Sequence, residues 1–262
     1  MHRGGRSARA RSGRTMVRRF LTLAGLGALL LASPAAAQDS PPDFSGFWGP
    51  VFNLGEPAAD MVARLPENTV VIADTGVAEF PRGEYGGLIL TPEALAHAEQ
   101  WRPESELAID RVCLPQSIVY ALQGPFPFEI HQTPTLIVIR YEYFDQVRLV
   151  HMDGREHPAE APDTKMGYST GRWDGSDLVI ETSHIAASTI TNNGLDHSNR
   201  IRTTERYRID PADGRLVATQ WFSDSATITN NGARWIEWER RPGQYVYPYE
   251  CDPSFALEYE GR

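Results

Sequence analysis

The chain has 262 residues, 41% of them hydrophobic and 10% aromatic, with 22 Gly and 19 Pro, a balance that excludes collagen, a coiled coil and a fully disordered chain. Residues 1–37 hold seven arginines and no acid; the rest carries 18 basic against 34 acidic side chains, a net of −16. A chain this acidic is a poor partner for phosphate backbones, so nucleic acid is excluded.

Arg18 and Arg19 precede an apolar run over 20–32, and Ala35, Ala36 and Ala37 follow as small residues. This order predicts a secretory signal peptide over 1–37, cleaved after Ala37, with Met16 as a second candidate start. The run is shorter than the roughly 20 residues of a spanning helix, and no comparable run follows. The processed chain is therefore expected to be periplasmic or secreted, with no membrane contact. Cys113 and Cys251 are the only cysteines and are expected to pair as a disulfide in that oxidising compartment.

Residues 44–51 predict a first strand. The stretch 52–112 is irregular apart from a helix over 92–102, introduced by Thr91 as N-cap and Pro92 at the first helical position. From 128 onward period-2 runs predict strands at 128–132, 135–143, 146–152, 166–173, 177–184, 201–209, 215–223 and 233–240. Asp153-Gly154, Asp174-Gly175, Asp213-Gly214 and Asn231-Gly232 are expected as hairpin turns between them. Closely spaced strands without intervening helices imply an all-β fold, a single antiparallel meander closed as a lipocalin- or calycin-like barrel. The domain plan is a signal segment 1–37, an N-terminal strand, irregular segment and short helix over 38–127 packing on the barrel, and the barrel body with a tail over 128–262.

Alternation assigns the faces. In 201–209, Ile201, Thr203, Glu205, Tyr207 and Ile209 share one face and Arg202, Thr204, Arg206 and Arg208 the other. Glu205 is thereby expected inside, where a lone carboxylate is costly unless protonated or paired. In 146–152 the inner face is expected to hold Val147, Leu149 and His151, and in 177–184 it is expected to run from Leu178 through Ile180 and Thr182 to His184. The hexapeptide Thr-Ile-Thr-Asn-Asn-Gly occurs at 189–194 and again at 227–232. Two similar turns, or two Asn-rich loops at one barrel mouth, both account for it.

Ser45-Gly46-Phe47-Trp48 resembles the G-x-W that opens lipocalin and other calycin barrels. Three further stretches are similar to a large family of exported bacterial proteins in which DGRxHP, GxSxGxWxGDTLVVDT and HSxxLxxxERYR recur in this order. They are Asp153-Gly154-Arg155-Glu156-His157-Pro158, then 167–182 from Gly167 through Ser169, Gly171 and Trp173, then His197-Ser198 with Glu205-Arg206-Tyr207. The chain departs from the family at Ser176-Asp177-Leu178, where the family has Asp-Thr-Leu, and in its Asn-rich loop of the 190s. The resemblance implies a shared fold and shared site residues, and no particular reaction.

No phosphate loop or dinucleotide fingerprint is present, no histidine pair has H-x-x-x-H spacing, and neither a metal nor another cofactor is assigned. Acid–base chemistry remains. His197, Glu205, Tyr168 and His157 are the candidate catalytic residues, because an imidazole and a desolvated carboxylate can hold different protonation states near neutral pH. Arg155, Asn192, His131, Trp173 and Trp221 are the candidate substrate-binding residues, Arg155 for an anionic or phenolic group and the tryptophans as flat apolar walls. The expected activity is a cofactor-independent lyase, dehydratase or isomerase acting on an aromatic or terpenoid alcohol. A lipocalin-like carrier of a hydrophobic small molecule, or a filled structural barrel of the envelope, would share most of these features. A homo-oligomer is compatible with each.

Overall fold

A computed structural model describes residues 40–52, 55–73 and 79–258, and the expected signal peptide lies outside them. The described strands are β1 (Gly46–Pro50), β2 (Thr69–Ile72), β3 (Phe128–Gln132), β4 (Leu136–Tyr141), β5 (Val147–His151), β6 (Tyr168–Asp174), β7 (Asp177–Ser183), β8 (Ser188–Thr191), β9 (Leu195–His197), β10 (Arg202–Ile209), β11 (Leu216–Ser223) and β12 (Asn231–Arg240). Four short helices accompany them: α1 (Ala59–Val62), α2 (Pro92–Gln100), α3 (Pro103–Glu106) and α4 (Ile118–Ala121).

The sheet runs β1-β3-β4-β5-β6-β7-β10-β11-β12, and β1 also pairs with β12, so nine strands close into a barrel. Closure leaves no free edge among those nine. The fold is the all-β barrel expected, and the eight strand runs from 128 onward all fall on observed strands. β1 is itself a barrel strand, wedged antiparallel between β3 and β12. β2 lies parallel to the first half of β12, below the point where β1 takes over that edge. One pairing breaks the antiparallel pattern: β5 and β6 run parallel, through Val150↔Ser169 and His151↔Thr170. A parallel pair cannot be joined by a tight turn, so the chain crosses over through 152–167. Asp153-Gly154 therefore begins a crossover loop and not a hairpin.

Asn231-Gly232 is likewise not a turn, because both residues lie in β12. Gly232 is there for packing: a Cβ at this position would come within 2.2 Å of Phe222 Cζ. Thr91 caps α2 as expected, its Oγ1 accepting from Ala94 N at 3.3 Å, with Pro92 at the first position. Cys113 and Cys251 form the disulfide, with Cα atoms 5.8 Å apart. It ties the C-terminal tail to the segment before α4. Among the described residues no helix is long and apolar enough to cross a membrane.

The lumen is filled by large side chains. Trp48, Phe128, Phe222 and Trp238 are all buried, and Trp48 Nε1 donates to Phe44 O at 2.9 Å. At the lumen's centre lies an ion pair. Arg148 Nη1 and Nη2 meet the two Glu205 carboxylate oxygens at 2.7 and 3.1 Å, and neither side chain is exposed. Tyr207 Oη donates to Glu205 at 2.7 Å, and Arg148 also donates to Ser169 Oγ at 3.0 Å and Thr182 Oγ1 at 2.6 Å. Burial alone would lower the Arg148 pKa, but the Glu205 carboxylate holds it above its ordinary value. Burial pushes the Tyr141 phenol, also facing this pair, up to about 12.

This pair corrects the expected face of β5. Val147 and Leu149 are 50% and 48% exposed, whereas Arg148 and Val150 are buried inside. With Glu205 fully buried opposite β5, Arg148 must face inward to pair it, since an unpaired carboxylate there would be costly, and strand alternation then turns Val147 and Leu149 outward. The assigned faces of β7 and β10 agree with the structure up to Thr182 and Tyr207.

Candidate functional site

The outer face of β6, β7 and β10 carries a compact polar group. Register places Tyr168 opposite Ser183 and Thr170 opposite Glu181, while Thr204 lies opposite Glu181 from the other side. One step beyond the Thr203↔Thr182 pair, Arg202 comes beside Ser183. Alternate residues of the same strands, Ser169, Thr182 and Thr203, face the lumen and are buried. Two outward rows result: Tyr168, Ser183 and Arg202, and next to it Thr170, Glu181 and Thr204.

The crossover loop lays His157 over these rows. Its Nδ1 contacts Ser183 Oγ and its Nε2 contacts Thr170 Oγ1 at 2.8 Å. Gly167 lets the loop enter β6 here: its φ is +66°, and a Cβ would come within 2.5 Å of Thr182 Cγ2. After Ser183 the backbone leaves the strand, and His184 takes φ +55°, uncommon for a side-chain-bearing residue and concentrated at functional sites. That bend brings His184 Nδ1 to the same Ser183 Oγ, at 2.9 Å. His184 thus belongs to the outer site and does not continue the inner face. A cleft of about 440 Å³ opens beside these groups, lined by His157, Glu181, Ser183, His184, Arg202 and Thr204 among others.

Ser183 has one proton to give, so the chain Thr170–His157–Ser183–His184 admits two orderings. In one, His157 Nδ1–H donates to Ser183, and Ser183 donates to His184 Nδ1, leaving a proton on His184 Nε2. In the other every bond is reversed, and His184 Nε2 carries a lone pair. Burial pulls the His157 pKa below its ordinary value; Glu181 opposes this, and His184 and Arg202 reinforce it. A neutral imidazole with one N–H and one lone pair is what either ordering requires.

Tyr168 stands between two imidazoles, its ring 5.2 Å from His151 and 5.3 Å from His157. Arg155 is close by, but Asp153 clasps it: Arg155 Nε and Nη2 donate to the Asp153 carboxylate at 2.9 and 2.5 Å. Those hydrogen bonds hold Asp153 down at about 2. The guanidinium is already neutralised, which weakens its expected role as an anion holder. Of the candidate site residues, the fold brings together His157, Tyr168 and Arg155.

The others are elsewhere. His197 and Glu205 share no hydrogen bond and have separate partners, so the expected acid–base pair does not form. Glu205 is consumed by Arg148 and Tyr207 in the lumen. His197 lies on β9, 2% exposed; Nδ1–H donates to Ser198 O at 2.9 Å, and Nε2 accepts from Ser117 Oγ at 2.7 Å. Burial pushes it down to about 4, with the Ser198 carbonyl and Asp224 opposing in part. Its ring is thus neutral and structural at pH 7. Asn192 is exposed in the β8–β9 turn and donates to Glu79 at 2.9 Å. His131 is exposed on β3, 3.5 Å from Glu129. Trp173 packs on Phe44 at 5.6 Å, and Trp221 donates to Thr69 Oγ1 at 3.2 Å across the β2 side of the barrel. None of these lines the cleft.

No protein-family model matches the chain, and no curated protein matches it. Among the described residues no group of three or more His, Cys, Asp or Glu side chains is arranged to hold a metal ion. Sequence reasoning missed Ser183, His184 and Arg202. The only signal was that Ser183-His184 stands at the end of an expected strand.

The buried neutral His197 has a measurable consequence. Its unfolded pKa is near 6.5 and its folded pKa about 4, so between these values the unfolded chain binds a proton that the folded ring refuses. This group's contribution is neutral above pH 6.5, and stability falls as pH drops towards 4. The expected loss is about 3 kcal/mol at roughly 1.4 kcal/mol per pH unit. Denaturant unfolding at pH 7 and pH 4 should show that extra loss in the wild type and not in His197→Gln. Equal losses would contradict it.

Proposed function

We propose that the protein is an exported, cofactor-independent enzyme that performs acid–base chemistry, as a lyase or isomerase, in the cleft on the outer wall of the barrel. The observation that carries this reading is the hydrogen-bonded chain His157–Ser183–His184, which ends in an open cleft. A proton taken up at one end of such a chain displaces another at its far end, so one site can serve as base and acid in turn. In a dehydration, the base takes a proton from carbon, the freed electron pair becomes the new double bond, and the C–O bond breaks. The hydroxyl then leaves as water with the displaced proton. In an isomerisation the proton returns to a different carbon.

Tyr168 packs its ring against His157, which lines the cleft, and the reading keeps an aromatic or cyclic substrate bearing a hydroxyl or carbonyl. The disulfide and the expected signal segment support export. The motif resemblance supports membership in the exported bacterial family, whose DGRxHP stretch supplies His157 here. The described buried side chains of the barrel pack on one another, which supports placing the site in the outer cleft and not in the lumen.

The test is a screen of the purified protein against aromatic and terpenoid hydroxy and carbonyl compounds, with and without a chelator. Turnover that survives chelation is expected. Saturable binding of such compounds with no turnover of any of them would replace the enzyme by a carrier.

A further inference from the structure

The outer face of β10 holds Arg202, Arg206 and Arg208, and the three are treated differently. Arg206 pairs with Asp174 and Asp177, both at 2.9 Å. Arg208 pairs with Asp177 at 2.7 Å and Asp60 at 2.8 Å. Both guanidiniums are thus fastened to the scaffold. Arg202, exposed at the cleft, has neither an ion pair nor a side-chain hydrogen bond among the described residues. No neighbouring acid among the described residues forms an ion pair with it. Glu181, the one acid lining the cleft, faces Arg172 at 3.9 Å, and Asp153 is spent on Arg155.

We infer that Arg202 is the anion subsite of this cleft, and that the substrate carries a carboxylate beside the reacting hydroxyl or carbonyl. The inference rests on the acid–base reading of the same cleft and adds the substrate class to it. A guanidinium presents two parallel N–H donors, a fork that matches the two oxygens of a planar carboxylate. Its strand position, beside Ser183, sets that fork next to the His157–Ser183–His184 chain. A carboxylate held there places the adjacent carbon near the imidazoles, and the Arg202 charge offsets its own. Arg202 touches the substrate without exchanging a proton, so its role is binding and orientation.

Benzoate and its neutral isostere benzamide are the probes, with inorganic phosphate as a third arm. The readout is the imidazole nitrogen resonances of His157 and His184 during titration to about 20 mM, where a millimolar complex would saturate. Benzoate should shift both rings at least about tenfold more tightly than benzamide. Arg202→Gln should erase that preference, with each protein's shifts read against its own ligand-free spectrum, since Arg202 also acts on His157. Equal affinity for benzoate and benzamide, undiminished benzoate binding in Arg202→Gln, no benzoate shift at all, or phosphate binding as tight as benzoate would each overturn the inference. The two readings fail separately. Arg202-dependent benzoate binding with no turnover of any aromatic hydroxy acid would keep the subsite and remove the chemistry. Turnover of neutral alcohols, unchanged in Arg202→Gln, would keep the chemistry and remove the subsite.

Discussion

Arg148→Met is expected to destabilise the protein by about 3–5 kcal/mol, because it leaves the Glu205 carboxylate unpaired in the lumen. Glu205 is 0% exposed, and its partners are Arg148 and Tyr207. With the guanidinium gone, the single Tyr207 hydrogen bond cannot replace what water would supply. Folding would then require the carboxyl to take up a proton, so the variant should regain part of its stability as pH falls. The double variant Arg148→Met/Glu205→Leu removes both charges and should recover most of the loss, since replacing a whole buried pair by apolar groups is commonly close to neutral. Tyr207→Phe should cost less, about 1–2 kcal/mol, the usual scale for one hydrogen bond to a charged acceptor. Denaturant unfolding of the four proteins measures these differences directly. A loss below about 1 kcal/mol for Arg148→Met would mean that the pair is solvated and that the lumen is not sealed around it.

For activity, the largest effects are expected at the two imidazoles of the cleft. His184→Ala and His157→Ala should each lower kcat by about 10²–10⁴, the range for loss of a general acid or base. The two act through one chain, so the double variant should be little worse than either single one. His197→Ala should leave kcat of the folded protein within a few-fold, since its ring is held between Ser117 and Ser198. Single-turnover and steady-state assays on the substrate identified by the screen provide the comparison. If His197→Ala proves as damaging as His184→Ala, without loss of fold, the site has been placed on the wrong side of the molecule.

The barrel was legible because most of its strands obey period 2 and are long enough to show it. β10 displayed both faces correctly, with Glu205 and Tyr207 inside and three arginines outside. β5 was misleading for a physical reason. Val147 and Leu149 look like core residues, and nothing local to the strand reveals that Arg148 has a carboxylate waiting on β10, 57 residues later. β2, β8 and β9 span 4, 4 and 3 residues, too few for any alternation to register. The site suffered from the same limit. Sequence proximity suggested joining His197 to Glu205, but β9 folds away beside α2 while β10 enters the barrel wall. The true neighbours, His157, Ser183 and His184, meet only because β5 and β6 are parallel and the crossover loop must pass over β7. A parallel pairing leaves no local signature in the sequence.

Ser183→Ala tests the central claim most directly. It deletes one hydroxyl, keeps both imidazoles and the shape of the cleft, and breaks the only described link between His157 and His184. If the chain relays protons, kcat should fall at least about tenfold while KM changes less than about twofold, because binding groups are untouched. An unchanged kcat in Ser183→Ala would contradict the account.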